Sequence, residues 1–444
     1  MPIRHARAGL GAYAEVVRMD KSLIAFGMIC FFMSSFGQTW FIGLYKPDLI
    51  ASFGLSEEAF GSIYGTATLC SALLMTQAGK LADHWDLRRL ALIVPLALSA
   101  ACFGLYLITG PLLAGIMAAS LGPIALGLVI FGLRFAGQGM STHIAATAVA
   151  RYFTLGRGRA LALCAIGLSF GTVLLPKPFL TLKDHLGWQY NWAAIAVVLA
   201  VVMLPLLMWL LLGHDHRHKD WSDQIEADEK AEAAATAAGK ASTAIRQYTQ
   251  SQVMMDWRFW AIAPAVCAPA FLNTAFMLNQ DIIGQAKDWT PDLYAMGLVA
   301  YSLGGVVLGL MGGALADRIG ARKVMCFSLI PLGVQCLLFW LWDSPYSAVL
   351  GWAAAGITMG LHGPAVSAFW PDIYGTRHIG GVKSLVTALM VLSTALAPAV
   401  FGRLIGGGVD FLSIAKYSVL YVIASTIAVW LVFTRLVPRP VSAV

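Results

Sequence analysis

The chain alternates between long apolar blocks and short polar interruptions, without the every-other-residue pattern of half-buried strands or the one-sided stripe of surface helices. A helix needs about 20 predominantly apolar residues to cross the hydrocarbon core of a bilayer. On that ruler the sequence predicts twelve crossings, near 22–45, 57–79, 90–108, 122–150, 159–181, 191–213, 258–280, 291–315, 324–342, 347–370, 380–404 and 413–434. Residues 90–133 hold no charge at all. The third and fourth crossings are divided there at Thr109-Gly110-Pro111, because proline disfavours helix in the residue before it. Residues 1–21 are polar and basic and the first apolar run is too long for a signal-peptide core, so no cleavable signal is expected.

The longest polar stretch, His214 to Asp256, separates six crossings from six, with an Ala/Glu/Lys-rich centre from Glu226 to Lys240 suited to a surface helix. The expected organisation is a six-helix bundle over 1–213, a linker over 214–256 and a second six-helix bundle over 257–444. If both termini and the linker are cytoplasmic, 23 of the 30 Lys and Arg face the cytoplasm. Five (Lys46, Lys183, Lys287, Arg403, Lys416) then face outside, and Arg134 and Lys177 fall within apolar runs. The reverse orientation would carry those 23 across the membrane, against the positive-inside rule. Both termini are therefore expected to be cytoplasmic, and the location to be a bacterial inner (plasma) membrane.

Composition agrees with this layout. Of 444 residues 59% are hydrophobic and 12% charged, against about 25% charged in an average soluble protein. That excludes a disordered chain, a coiled coil and an ordinary soluble enzyme. The net charge of +7 reports orientation rather than a nucleic-acid partner. The seven cysteines lie in apolar runs without a CxxC pair and read as small buried hydrophobes.

An internal repeat supports the division into halves. Gly79-Lys-Leu-Ala-Asp83-His-Trp-Asp-Leu-Arg88-Arg89 follows the second crossing, and Gly313-Ala-Leu-Ala-Asp317-Arg318-Ile-Gly-Ala-Arg322-Lys323 follows the eighth. Glycine, leucine, alanine, aspartate and the basic pair match position for position, which implies two parallel bundles about a pseudo-two-fold axis along the membrane normal. These loops resemble the two G-x-x-x-D-R-x-G-R-R elements of the major facilitator superfamily. Arg134-Phe-Ala-Gly-Gln138-Gly139 is similar to that family's R-x-x-x-G element. The first loop departs from the pattern, with His84 for the arginine and Asp86 for the glycine.

A finer likeness, to the oxalate/formate antiporter and monocarboxylate porter branch, is carried by three segments. They are Tyr152-Phe153 with Arg157-Gly-Arg159-Ala-Leu-Ala, Asp256-Trp-Arg-Phe-Trp260, and Trp370-Pro-Asp372-Ile-Tyr-Gly375. That branch's substrate-binding lysine in the first crossing and arginine in the eighth have no counterpart here.

The resemblance implies an all-α integral membrane protein that works by alternating access, with the first, fourth, seventh and tenth helices around the cavity. The gate residues it implies are Gly79, Asp83, Arg88, Arg89, Gly313, Asp317, Arg318 and Arg322. The Asp83 loop would face the start of the eleventh crossing at Gly380 and Gly381, and Asp317 the start of the fifth; the basic pairs would anchor at the anionic inner leaflet. Read without the repeat, the same residues are ordinary positive-inside loops.

Arg134 lies halfway through the fourth crossing, where an intramembrane charge marks a functional site unless backbone or Gln38 holds it structurally. Lys177, between Pro176 and Pro178, either touches substrate or snorkels to the surface. Gln38, Asn273, Asn279, Tyr301 and His362 could hydrogen-bond a carboxylate or serve as interhelical glue. His143 and His362 are candidate proton carriers or simply packed residues. No acid lies deep in any crossing, so a cavity with Arg134 favours anions and disfavours organic cations. Gly61 and Gly65, Gly167 and Gly171, and Gly309 and Gly313 form small-residue faces for close helix packing.

Three short signals are set aside. Gly167-Leu-Ser169-Phe-Gly171 spells a nucleophile elbow but lacks the strand-turn-helix setting that exposes the serine. His214-Asp-His216-Arg-His218 has alternate spacing that does not converge on a metal from a helix. No Walker A loop or G-x-G-x-x-G is present. The expectation is a non-enzymatic, cofactor-free, monomeric secondary transporter of a small organic anion, a carboxylate, using proton symport or anion exchange. A drug or metabolite exporter is the alternative, and a non-transporting membrane sensor the reading from another class.

Overall fold

The computed structural model describes residues 10–110, 121–153, 157–219, 248–374 and 379–433, and every described element is helical. Before the linker come α1 (Leu10–Met19), α2 (Lys21–Ser34), a 3-10 turn (Ser35–Gly37), α3 (Thr39–Gly43), α4 (Lys46–Phe53), α5 (Glu57–His84) and α6 (Leu87–Thr109). Then follow α7 (Gly122–Gly132), a π-helical segment (Leu133–Ser141), α8 (Thr142–Tyr152), α9 (Arg157–Leu174) and α10 (Pro176–Leu186). Next are α11 (Trp188–Val198), a π turn (Leu199–Met203) and α12 (Leu204–Leu210). After the linker come α13 (Gln250–Met255), α14 (Trp257–Leu278), α15 (Gln280–Lys287), α16 (Pro291–Ile319) and α17 (Ala321–Ser328). The last described elements are α18 (Ile330–Leu341), α19 (Pro345–Tyr374), α20 (Ile379–Gly406) and α21 (Phe411–Leu431).

Ten described spans are long and apolar enough to cross a membrane, and eleven if α9 and α10, bent by 41° at Leu175, count as one. The expected second crossing corresponds to the continuous 28-residue α5, Glu57–His84. The predicted division after the third crossing coincides with the end of α6 at Thr109; Pro111 lies outside the described residues.

Aspartates set the starts of several spans. Asp20 caps α2 by accepting from the Leu23 amide at 2.9 Å, Asp86 caps α6 from Arg88 at 2.8 Å, and Asp256 caps α14 from Arg258 at 2.9 Å. Each carboxylate satisfies an orphan amide just before an apolar run begins. The outward faces carry exposed Leu, Ile, Val and Trp, as a lipid solvent allows, while small residues occupy the contacts between helices.

At Gly61, Gly65 and Gly167, from the small-residue faces read in the sequence, backbones meet. A Cβ on Gly61 would lie 2.3 Å from the Pro398 carbonyl, and one on Gly65 2.5 Å from that of Ala395, so α5 presses directly on α20. Gly167 of α9 has the same relation to Met28 of α2, at 1.9 Å. Helices from before and after the linker thus touch along α5 with α20, and also along α9 with α16 and α3 with α14.

Candidate functional site

The first crossing is not one helix. Ser34 turns its hydroxyl back onto the Phe31 carbonyl at 2.7 Å, and Ser34-Ser35-Phe36-Gly37 has little helix preference. The chain narrows to a 3-10 turn, extends at Gln38 (φ −79°, ψ 149°) and restarts as α3 at Thr39. Opposite this break the fourth crossing widens into π-helix over Leu133–Ser141. The two irregular segments interlock through bare glycines. A Cβ on Gly37 would lie 2.2 Å from the Leu133 carbonyl oxygen, and one on Gly137 2.7 Å from the Gly37 Cα.

Arg134 fills this junction. Its Nη1 donates to the Gly37 carbonyl at 3.1 Å and to Thr39 Oγ1 at 3.1 Å, and its guanidinium carbon sits 5.4 Å from the Tyr64 ring centroid. Tyr64 in turn donates its hydroxyl to Thr39 Oγ1 at 3.1 Å. Arg134 is 2% exposed, its Nε has no partner, and among the described residues no carboxylate pairs with it. A helix break beside a buried charge is a recurrent way of building a binding site at membrane depth.

The other candidates fall into separate places. Gln38 is half-buried in the break itself. Asn273, on α14, is buried with both side-chain polar atoms unpartnered, an arrangement that invites a ligand. Tyr301 packs edge-on against Trp352, with ring centroids 6.2 Å apart. His362 is satisfied at both nitrogens: Nε2 donates to the Val266 carbonyl at 3.1 Å, and Nδ1 lies 3.0 Å from Ser328 Oγ. His143 is half-buried and its Nε2 has no partner. Lys177 is ion-paired with Asp292 at the start of α16.

Asn279 is already in use. Its Oδ1 accepts from Lys46 Nζ at 2.8 Å, and the same ammonium lies 2.7 Å from Glu57 and 3.2 Å from Asp281. This buried cluster was not visible in the sequence, where Lys46 reads as a loop residue. The available signal was Lys46 set directly against Leu44-Tyr45, with acids at Glu57 and Asp281 where basic residues are few.

The Lys46 cluster joins helices from the two sides of the linker, as do the Lys177–Asp292 pair and the Arg403–Glu58 approach at 4.0 Å. Asp20, at the start of α2, is bonded to Arg217 of the linker's first turns, which defines a linker end; Lys46 marks the opposite, far end. A cavity of about 520 Å³ opens between α5 and α7, lined by Ser62, Ile63, Thr66, Gly127 and Phe131. It is almost wholly apolar and does not include Arg134.

The Major Facilitator Superfamily model matches residues 27–284 and, a second time, 264–444. The chain belongs to the Major Facilitator Superfamily. It is accordingly a membrane transporter by family. A gallate transporter of Pseudomonas putida is 25% identical over 398 residues, covering 83% of this chain and 81% of that protein. An uncharacterized MFS-type transporter, YcxA, of Bacillus subtilis (strain 168) is 23% identical over 58% of this chain and 60% of that one. Among solved structures, a mutant of the nucleoside transporter NupG superposes with a TM-score of 0.66 at 13% identity, covering 93% of this chain and 100% of that one. A bacterial homolog of the human lysosomal transporter Spinster, inward-facing and unoccupied, gives 0.59 at 13%, over 95% and 97%. At such identity these two show the shared fold alone.

The surroundings of Gly79, Asp83, Gly313 and Asp317, and of Gly380 and Gly381, lie outside the described residues. Arg89 and Arg318 are exposed, and Arg322 is half-buried. Arg88 is ion-paired at 2.8 Å with Asp86, the residue that departs from the family pattern, and at 2.7 Å with Asp215 of the linker. Partial burial pushes the Asp86 carboxyl up, but hydrogen bonds from the Arg88 side chain and backbone outweigh it and leave the group below its ordinary value.

His214 is fully buried here, edge-on to Tyr152 at 4.9 Å and 3.9 Å from Asp86. Burial, only partly opposed by Asp86, lowers its pKa to about 4. Among the described residues no group of three His, Cys, Asp or Glu is placed to hold a metal, and His214 serves instead to fasten the start of the linker to the preceding helices.

Proposed function

We propose that the chain is a secondary active transporter of a small organic anion, a carboxylate, moved by alternating access. In this reading two six-helix bundles, 1–213 and 257–444, rock about a central site, with the linker 214–256 and both termini in the cytoplasm. The observation that carries it is Arg134: a guanidinium at mid-crossing depth, buried, without a carboxylate partner and with an unused donor. Such a charge is costly in a membrane unless an anion completes it. A planar fork of donors is suited to a carboxylate. The relative named for gallate, itself an aromatic carboxylate, supports the same class.

Asn273, Gln38 and Tyr301 are the hydrogen-bonding ligands this reading favours. Lys177 and Asn279 act at the far end. His143, with its buried unpartnered nitrogen, is the candidate proton carrier; His362 is held by two neighbours. At the linker end, Asp83 and Asp317 with their basic pairs form the gate, so Asp83→Asn should slow initial uptake while insertion stays normal.

Reconstituted protein should take up labelled gallate or a simpler carboxylate, with a rate that responds either to an imposed pH gradient or to a trans anion. Arg134→Ala should abolish that uptake. Absence of uptake and counterflow across a panel of carboxylates would overturn the reading.

A further inference from the structure

The buried ammonium of Lys46 is shared between the two sides of the linker. It is 1% exposed and lies 2.7 Å from Glu57 Oε2, 2.8 Å from Asn279 Oδ1 and 3.2 Å from Asp281 Oδ1. Glu57, on α5, follows Lys46 closely in the chain, so the two travel together. Asn279 and Asp281 come from the junction of α14 and α15, beyond the linker. Nearby charges offer no substitute, because Asp48 is held by Lys183 at 2.5 Å and Glu58 faces Arg403. The seal around the lysine is tight: a Cβ on Gly43 would lie 2.5 Å from the Met277 carbonyl, backbone against backbone.

We propose that Lys46 is a partner-exchanging latch for the far end: Asp281 and Asn279 hold it shut, and Glu57 is the counter-ion the lysine keeps when it opens. This rests on the alternating-access reading above. Separation of the halves strips Lys46 of Asn279 and Asp281 but not of Glu57, so the ammonium never reaches solvent without an acid beside it. One cation serves two carboxylates in the closed state, and these repel each other there.

The two acids therefore act with opposite signs, because a group shifts an equilibrium only by its difference between the two states. Asp281 contributes attraction in the closed state alone. Glu57 contributes to the open state as the sole counter-ion, and its repulsion of Asp281 weakens the closed one. A merely structural salt bridge would have both acids favouring closure.

The test uses the full chain in liposomes, with the exposed Cys70 and half-buried Cys326 changed to serine. Met277→Cys places a thiol at the buried far-end contact, where reaction with a membrane-impermeant maleimide reports even rare opening. Asp281→Asn should speed that reaction about tenfold or more, the size expected for loss of a hydrogen bond to a charged group. Glu57→Gln, equally isosteric, should slow it. The latch is overturned if the two substitutions move the rate in the same direction, or if either leaves it unchanged. Spin labels at Met19→Cys and Met255→Cys, both exposed near the linker end, separate this from the underlying reading. If Asp281→Asn speeds labelling while the linker-end distance stays fixed, the latch stands and the rocking of halves fails.

Discussion

Arg134 carries most of the functional weight at the scale of single residues, and its surroundings explain why lysine is no substitute. One nitrogen of the guanidinium bridges the Gly37 carbonyl and Thr39 while its face approaches Tyr64, leaving other donors free. A lysine ammonium lacks the planar fork and the delocalised face. Arg134→Lys should cut initial carboxylate uptake about tenfold or more, with surface expression unchanged; normal uptake would reduce Arg134 to a packing role. His214 gives a second prediction. Its pKa near 4 in the folded chain lies below the ordinary value of about 6.5. The neutral form is thus favoured by folding, and its contribution is present above pH 6.5 and lost as pH falls through 4. Thermal unfolding in detergent should lose stability over that window, and His214→Phe should flatten the loss.

Irregularity in two helices, rather than regularity in the rest, builds the centre at the scale of elements. The 3-10 turn at Ser35–Gly37 and the π-helix at Leu133–Ser141 fit together only because Gly37 and Gly137 lack side chains. Gly137→Ala pushes a methyl to 2.7 Å from the Gly37 Cα, an overpacking that costs about 1–3 kcal/mol. The thermal midpoint of the purified protein should fall accordingly. The sequence predicted both crossings and their approximate limits but not the break. Apolar periodicity registers that a segment can cross, whereas a break depends on which backbone groups a neighbouring helix satisfies. Gln38 and Arg134 were legible as candidates because a polar or charged residue in an apolar block is conspicuous whatever the local geometry.

Across the whole molecule the two sides of the linker meet through glycine contacts and, at the far end, through ion pairs. Gly65 belongs to the first kind: a methyl there would stand 2.5 Å from the Ala395 carbonyl of α20. Because that contact joins α5 to a helix beyond the linker, Gly65→Ala leaves the packing within the preceding helices untouched. It should change the uptake rate more than the thermal midpoint, the reverse of Gly137→Ala, and matched calorimetry and uptake on both variants would show it.

The sequence alone determined that this chain lives in a bilayer, which family its loops resemble and where a charge lies at depth. Those properties follow from the cost of placing polar groups in lipid, which each segment meets or fails by itself. Only the tertiary structure decided which polar groups share a partner. Lys46 lies 233 residues from Asn279 in the chain, and nothing local to either encodes the other. Partnership at that range is fixed when helices pack, because the buried charge must be satisfied by whatever the opposing helix presents.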